Sequence, residues 1–323
     1  MNWLLKLSRG QIVNSEYFWG NWVFKNPGWF LMYVFARLNT TRSLAIFLQQ
    51  LLRNKPQKFN YFGQENKASL FPELQVEQAV SSLKTDGFAL GINLPQNTVQ
   101  EILEFVSNIE YRPEHDAPLT NNSVADEKEE IEYRKDYSRA RYPDNFLLCP
   151  AIQKLLNDPK LLEIAAIYLG SEPKHVGSRL WWTFAGSKPY DLRHAGQTFH
   201  YDIDDYCSLR LFFYLTDVDA NSSPHVIARG SHIKKKFSDR IAMSRQRTDK
   251  HIIDYYGSKN VVTIYGKAGT GFAEEPLVFH RGTSPKEHDR LILLIQFAMN
   301  DWKMQRGGKF TAEMTGNYPA NKN

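Results

Sequence analysis

The chain has 323 residues, 42% hydrophobic and 23% charged, with a formal net charge of +5. That balance belongs to a globular protein with a sizeable core and excludes a fibrous or wholly disordered chain. Two cysteines, Cys149 and Cys207, lie in separate segments, which excludes a disulfide-stapled secreted scaffold and points to a reducing, cytoplasmic compartment.

At the N-terminus, MNWLLKLSRG offers an apolar run too short for the centre of a signal peptide, with no small-residue cleavage pattern after it, so export is not expected. Between Tyr17 and Leu38 aromatic residues are dense, but Lys25, Asn26 and Pro27 interrupt them before the roughly 20 apolar residues of a membrane-spanning helix accumulate. No transmembrane segment is therefore expected. Aromatics beside Lys6, Arg9, Lys25 and Arg37 suit two readings: a helical extension packed on the main domain, or association of residues 1–38 with a membrane surface. Residues 1–75 are thus an aromatic, basic, helical extension that ends in a polar linker, NKPQKFNYFGQENKAS.

The main domain is expected over 76–312, followed by a polar tail at 313–323. It opens with a helix from Val76, a glycine turn into a strand at Phe88 to Ile92, and a second helix at about Thr98 to Ile109. Residues 112–136 are poor in apolar side chains and rich in acids, the composition of a solvated loop. A helical pattern spans Ala151 to Leu169 with a break near Pro159. Beyond it the texture is β: VGSRLWWTFAG, SLRLFFYLTDV, NVVTIYGKAGTGFAEEPLVFH and RLILLIQFAMN are short apolar runs separated by Gly, Pro, Asn and Asp. Such runs predict a sandwich or barrel rather than a parallel βαβ sheet. Between Lys234 and Lys250, seven basic and two acidic residues make either a solvated helix or a lid that attracts an anionic substrate. Aromatics are sparse there and no nucleic-acid-binding module is visible, so nucleic acid is not an expected partner.

Within the β region, FHYDIDDYC places His200 and Asp202 two residues apart, and in a strand side chains at that spacing share a face. His280 ends a later run, LVFH. Two imidazoles and one carboxylate make the facial triad that suits non-haem Fe(II) and leaves coordination positions open. Arg290, ten residues beyond His280, opens the last strand on the face shared by Ile292, Leu294 and Gln296. Its rigid fork fits a carboxylate. Leu209, Leu211, Phe213 and Leu215 share one face of the strand that follows the His-Asp pair.

Residues 76–300 resemble the phytanoyl-CoA dioxygenase-like branch of the Fe(II)/2-oxoglutarate-dependent oxygenases. The residues that carry the resemblance are Gln197, His200 and Asp202 as Q-x-x-H-x-D, then YLTDVDANSSPHVIARGSH, then His280 and Arg290, with LKTDGFALGINL at the front. Two positions depart from the family pattern: Ser223 stands where glycine is common and Arg229 where proline is common. The resemblance implies a mainly β protein with flanking helices (α+β), built on a double-stranded β-helix, the jelly-roll or cupin-like barrel. It implies Fe(II) held by His200, Asp202 and His280, with 2-oxoglutarate anchored by Arg290. Thr283 or Ser284 adds a hydroxyl to that carboxylate, and Gln197 and Trp182 complete the co-substrate set. O2 is consumed, a small molecule is oxidised, and succinate and CO2 are co-products. Because Asp202 is kept, hydroxylation or a related oxidation is favoured over halogenation. A protein or peptide hydroxylase on the same barrel and a non-catalytic cupin-like metal-binding protein are the alternatives, and Arg290 speaks against the second. Trp181, Trp182 and Phe184 sit on the strand before the ligands, where alternate side chains face either a substrate or the core. His225 and His232 are expected to be hydrogen-bonded scaffold residues and Cys207 a small core residue.

Overall fold

A computed structural model describes residues 26–52, 68–113, 138–186, 197–303 and 309. The tail at 313–323, and with it the boundary at 312, lies outside the described residues, as do most of the polar linker and most of the acidic loop.

Two helices come first, α1 (Pro27–Phe35) and α2 (Asn39–Leu52). Asn26 caps α1 by accepting from the Trp29 N–H, and Pro27 occupies its first turn, where a missing N–H is harmless. Next come α3 (Val76–Asp86), β1 (Phe88–Leu90) and α4 (Gln96–Val106). Gly87 ends α3 with a φ of 84°, and a Cβ there would meet Val278 Cγ1 at 2.1 Å. Glycine is the residue that permits both the left-handed turn and the close approach. The short strands β2 (Arg112–Pro113) and β3 (Arg139–Arg141) follow, then α5 (Pro150–Leu156) and α6 (Pro159–Leu169). The break expected near Pro159 is real: Asp158 accepts from the N–H groups of Lys160 and Leu161 and starts a new helix.

The remaining strands and α-helices are β4 (Lys174–Thr183), β5 (Ser208–Tyr214), β6 (His225–Ala228), α7 (Phe237–Ile241), α8 (Asp249–Tyr256), β7 (Val261–Ile264), β8 (Gly271–Glu274), β9 (Phe279–Gly282) and β10 (Arg290–Ala298). Among the described residues all paired strands are antiparallel. One sheet runs β1-β8-β5-β10-β4-β3-β2 and the other β7-β6-β9. The fold is mostly antiparallel sheet with flanking helices, as the sequence predicts.

Alternation along the strands sorts the layers. Leu209, Leu211 and Phe213 of β5, with Leu291, Leu293, Ile295 and Phe297 of β10, pack against Leu83, Ile102, Ile152 and Ile164 of the helices. Truncating a buried leucine there costs roughly 2–5 kcal/mol. The opposite face of the same strands carries Phe212, Tyr214, Ile292 and Leu294, which join Ile227 and Ile264 of the smaller sheet. Behind that sheet, Val226, Ala228 and Phe279 meet Met32 of α1 and Ala36 at its C-cap. The polar members of the inter-sheet face, Arg210, Glu274, Arg290 and Gln296, are all buried.

Candidate metal centre

The segment carrying His200 and Asp202 is not a full strand. It runs antiparallel to β9 through an isolated bridge, with the His200 N–H donating to His280 O at 2.9 Å and the reverse bond at 2.8 Å. The Asp202 N–H donates to Pro276 O at 2.8 Å. These backbone bonds bring together residues 74 to 80 positions apart. Ligand atoms of His200, Asp202 and His280 lie within 4.8 Å of one another, and the two imidazole centroids are 4.4 Å apart.

Each imidazole is oriented by its neighbour two residues back. His200 Nδ1 lies 2.9 Å from Thr198 O, and His280 Nδ1 lies 3.0 Å from Val278 O. An Nδ1–H donated to a carbonyl fixes the tautomer and leaves the Nε2 lone pair for a cation. Burial holds His280 down to about 3, so it is neutral at physiological pH, the state a metal requires.

Asp202 is held by two guanidinium groups. Arg210 Nη1 donates to its Oδ2 at 2.8 Å, while Arg245 Nη1 stands 3.5 Å from its Oδ1. Burial alone would raise the carboxyl, but Arg210, His200, Arg245 and His280 outweigh it and hold Asp202 well below the usual carboxylate range. Arg210 also donates to Asp204 at 2.6 Å, and Gln296 Nε2 donates to the same oxygen. Opposite Arg210 in the sheet register stands Glu274, fully buried, whose Oε2 pairs with His225 Nε2 at 2.6 Å and whose Oε1 lies 3.3 Å from His280 Nδ1. Burial pushes Glu274 up against the pull of His280 and Arg210.

Arg290 is 5% exposed and opposite Thr183 in the register. Its Nη2 donates to Thr183 Oγ1 at 3.2 Å, its Nη1 to Ser223 O, and its Nε has no hydrogen-bond partner. Among the described residues no carboxylate forms an ion pair with it. Burial, only partly offset by Tyr214, lowers its pKa to about 10. A buried guanidinium without an anion costs several kcal/mol on the order given by ion desolvation. An incoming carboxylate removes that cost. The fork lies beside Gly282, where a Cβ would sit 3.9 Å from Nη2. Gly282 is two residues past His280, so the cation site and the guanidinium are one same-face step apart, roughly 7 Å along the strand.

The other predicted residues divide. Ser284 Oγ donates to Gln197 Oε1 at 2.6 Å, and Ser284 is exposed. Thr283 Oγ1 donates to Pro224 O at 3.3 Å, and its carbonyl accepts from Ser223 Oγ. Trp182 requires correction. Its indole N–H donates to Tyr142 Oη and its ring stacks on Phe184, with the helix-side core beside it, so it lies on the face of β4 away from the triad. Trp181 occupies the inter-sheet face with Ile292 and Phe212. His225 and His232 make the expected scaffold hydrogen bonds, the latter to Lys84 O, and Cys207 is buried.

The basic segment at 234–250 differs from a solvated helix. Lys235 is buried with Nζ 3.9 Å from the Tyr201 ring centroid and 3.7 Å from that of Phe279. Tyr201 Oη donates to Asp239 O, and Arg247 N–H donates to Phe199 O. The segment therefore backs the two stretches that carry the His-Asp-His cluster, and Arg245 reaches from it to Asp202. Arg210 had a visible signal, a charge inside SLRLFFYL, as did the acids of GFAEEP. Arg245 had none, since its role depends on how its segment folds back.

Two outcomes follow from this geometry. Gly282→Leu places a side chain against the Arg290 fork, so binding of a dicarboxylate is expected to be lost while cation binding by the His-Asp-His cluster persists, which separate binding isotherms measure. His175 and His232 are each held down to about 4, chiefly by burial, and His280 to about 3. The unfolded chain takes up protons at these sites below about pH 6.5. Stability of the metal-free protein is therefore full above that pH and falls as pH drops toward 4, by up to about 1.4 kcal/mol per pH unit for each histidine. Denaturant midpoints measured from pH 7 downward check this, and a flat profile contradicts it.

No family model matches the chain, and no curated protein matches it. Solved structures with similar folds include the non-heme alpha ketoglutarate dependent epimerase SnoN from nogalamycin biosynthesis, 13% identical over 77% of this chain and 91% of that one, with a TM-score of 0.47. The carbocyclase SnoK from nogalamycin biosynthesis is 14% identical over 79% and 95%, with a TM-score of 0.48. EctD from S. alaskensis is 15% identical over 70% and 77%, with a TM-score of 0.45. Identities and scores of this order leave the assignment to the chemistry of the site.

Proposed function

We propose that the chain is an Fe(II)- and 2-oxoglutarate-dependent oxygenase that oxidises a small molecule, with its two sheets forming a double-stranded β-helix over residues 76–312. The observation that carries the reading is the pairing of a His-Asp-His cluster with a buried guanidinium, Arg290, that has no carboxylate partner among the described residues. A metal-storage or purely structural cupin has no use for such a clamp. His200, Asp202 and His280 would hold the iron, a donor set that suits Fe(II). Arg290 binds the far carboxylate of 2-oxoglutarate with its fork. Thr283 and Ser284 stand on the turn that follows β9, beside Pro224 and Gln197 respectively, and one of them adds its hydroxyl to that carboxylate.

When bound, iron and 2-oxoglutarate supply the activation of O2 that oxidises the substrate and releases succinate and CO2. The protein's share is positional. Thr198 O and Val278 O orient the imidazoles, and Arg210 keeps Asp202 ionised. A carboxylate has two oxygens, so one can serve a cation while the other stays with a guanidinium. Trp181, Phe212 and Phe272 between the sheets exclude water. Two free, buried cysteines accord with a reducing cytoplasmic setting. The test is succinate formation from 2-oxoglutarate by the Fe(II)-loaded protein. Uncoupled turnover above that of free Fe(II), abolished by His200→Ala, supports the reading, whereas turnover equal to free Fe(II) rejects it.

A further inference from the structure

The helices α1 and α2 each turn an apolar stripe outward. In α2 none of the fourteen residues is buried. Ala45, Ile46 and Gln49 face the body, while Leu44, Phe47, Leu48 and Leu51 are exposed at i, i+3, i+4 and i+7, the spacing of a single helical face. Leu51 is 68% exposed. In α1, Met32 enters the core, as does the C-cap Ala36, and Leu31, Val34 and Phe35 point out. The corner between these helices docks on the basic segment: Arg37 donates to Ala242 O at 3.0 Å and Asn39 Nδ2 to Ile233 O at 3.1 Å. That segment adds Phe237, Ile241 and Met243, the last 82% exposed. Monomeric soluble proteins seldom present a run of large apolar side chains on three adjoining elements to water.

Charge identifies what covers this face. Residues 26–52 contain no acid and residues 233–247 only Asp239; of their basic residues, Lys235 and Arg240 are buried, Arg42 pairs with Glu275, Arg245 with Asp202 and Arg247 with Asp239, which leaves Arg37, Lys234 and Lys236 to charge the surface. Asp239 is buried and bonded to Arg247 and His251, so it does not neutralise the surface. Lys234 is exposed and Lys236 half-buried between the outward Ile233 and Phe237. A face of one sign is not complementary to itself, which disfavours a second copy across a two-fold axis. Apolar aromatic and leucine side chains beside lysines, without acids, match a surface with an apolar interior and anionic phosphate headgroups.

We infer that the face formed by α1, α2 and α7 docks the protein on an anionic lipid membrane, lying in the interface without crossing it. Among the described residues no helix is long and apolar enough to span a bilayer. The inference does not rest on the oxygenase reading.

Co-sedimentation of the full chain with phosphatidylcholine vesicles, with and without phosphatidylglycerol, tests it. The wild type is expected to pellet with anionic vesicles, weakly with neutral ones, and to be released by high salt. Phe47→Glu with Leu51→Glu is expected to abolish pelleting, and both positions are exposed, so melting temperature should be unchanged. Lys234→Ala with Lys236→Ala is expected to weaken binding by about fivefold per lysine, and it carries the test should the first pair fail to fold. Absence of pelleting with anionic vesicles, pelleting unaffected by either pair, or a solution dimer that Phe47→Glu with Leu51→Glu converts to monomer would overturn the inference.

Discussion

Arg290→Leu is expected to lower the affinity for 2-oxoglutarate by roughly thirtyfold to several thousandfold, the equivalent of about 2–5 kcal/mol for truncating one partner of a buried charge pair. Cation binding by the triad should be unchanged, because Arg290 belongs to β10 and bonds Thr183 and Ser223 rather than a ligand. The same substitution should not destabilise the ligand-free protein. A buried guanidinium with no ion-pair partner is a burden on the fold, and an apolar replacement of similar volume is often neutral or stabilising. Arg290→Lys keeps the charge but loses the planar fork, so it should fall between. Isotherms for 2-oxoglutarate and melting temperatures without ligand measure both effects. A leucine variant that binds 2-oxoglutarate normally would remove the carboxylate anchor from the account.

The second large effect belongs to the ligands. Asp202→Ala and His280→Ala should each reduce Fe(II) affinity by more than the roughly 10–100-fold cost of losing an outer-shell partner. Glu274→Gln, which touches His280 Nδ1 only from outside, should stay within that smaller range. In wild type, saturating metal should raise stability by about 2.7 kcal/mol at a hundredfold excess over Kd. The ligand variants should show no such gain. Asp202→Ala leaves Arg210 bonded to Asp204, so the guanidinium is not orphaned and the fold should survive. Thermal melts with and without metal read this directly, and a metal-dependent shift retained in both variants would place the cation elsewhere.

Much of this was legible in the residue pattern because β5 and β10 have one face of leucines and phenylalanines and another that mixes charge with apolar residues. That alternation put Arg290 between the sheets and Leu209, Leu211 and Phe213 against the helices. The candidates for the His-Asp-His cluster were legible because they flank strand-like runs, although the pairing of residue 200 with 280 is a tertiary bridge that no local signal announces. The phase of β4 was not legible. Trp181 and Trp182 are both large and apolar, so period-two reasoning cannot decide which faces inward. The four-residue β6 lies outside the apolar runs that predict strands, yet it is the middle of the smaller sheet. Charge counting misread residues 234–250, since a lysine buries its stem readily and Lys235 finds two aromatic rings for its head.

The most direct test of the central claim is an anaerobic titration of the full chain with Fe(II) and then 2-oxoglutarate, monitored through the weak visible absorption of the chelate. The account predicts one iron per chain and a saturable band in wild type, no band with His280→Ala, and a band only at far higher 2-oxoglutarate with Arg290→Leu. A wild type that binds no Fe(II), or a His280→Ala variant with an unaltered band, would contradict it.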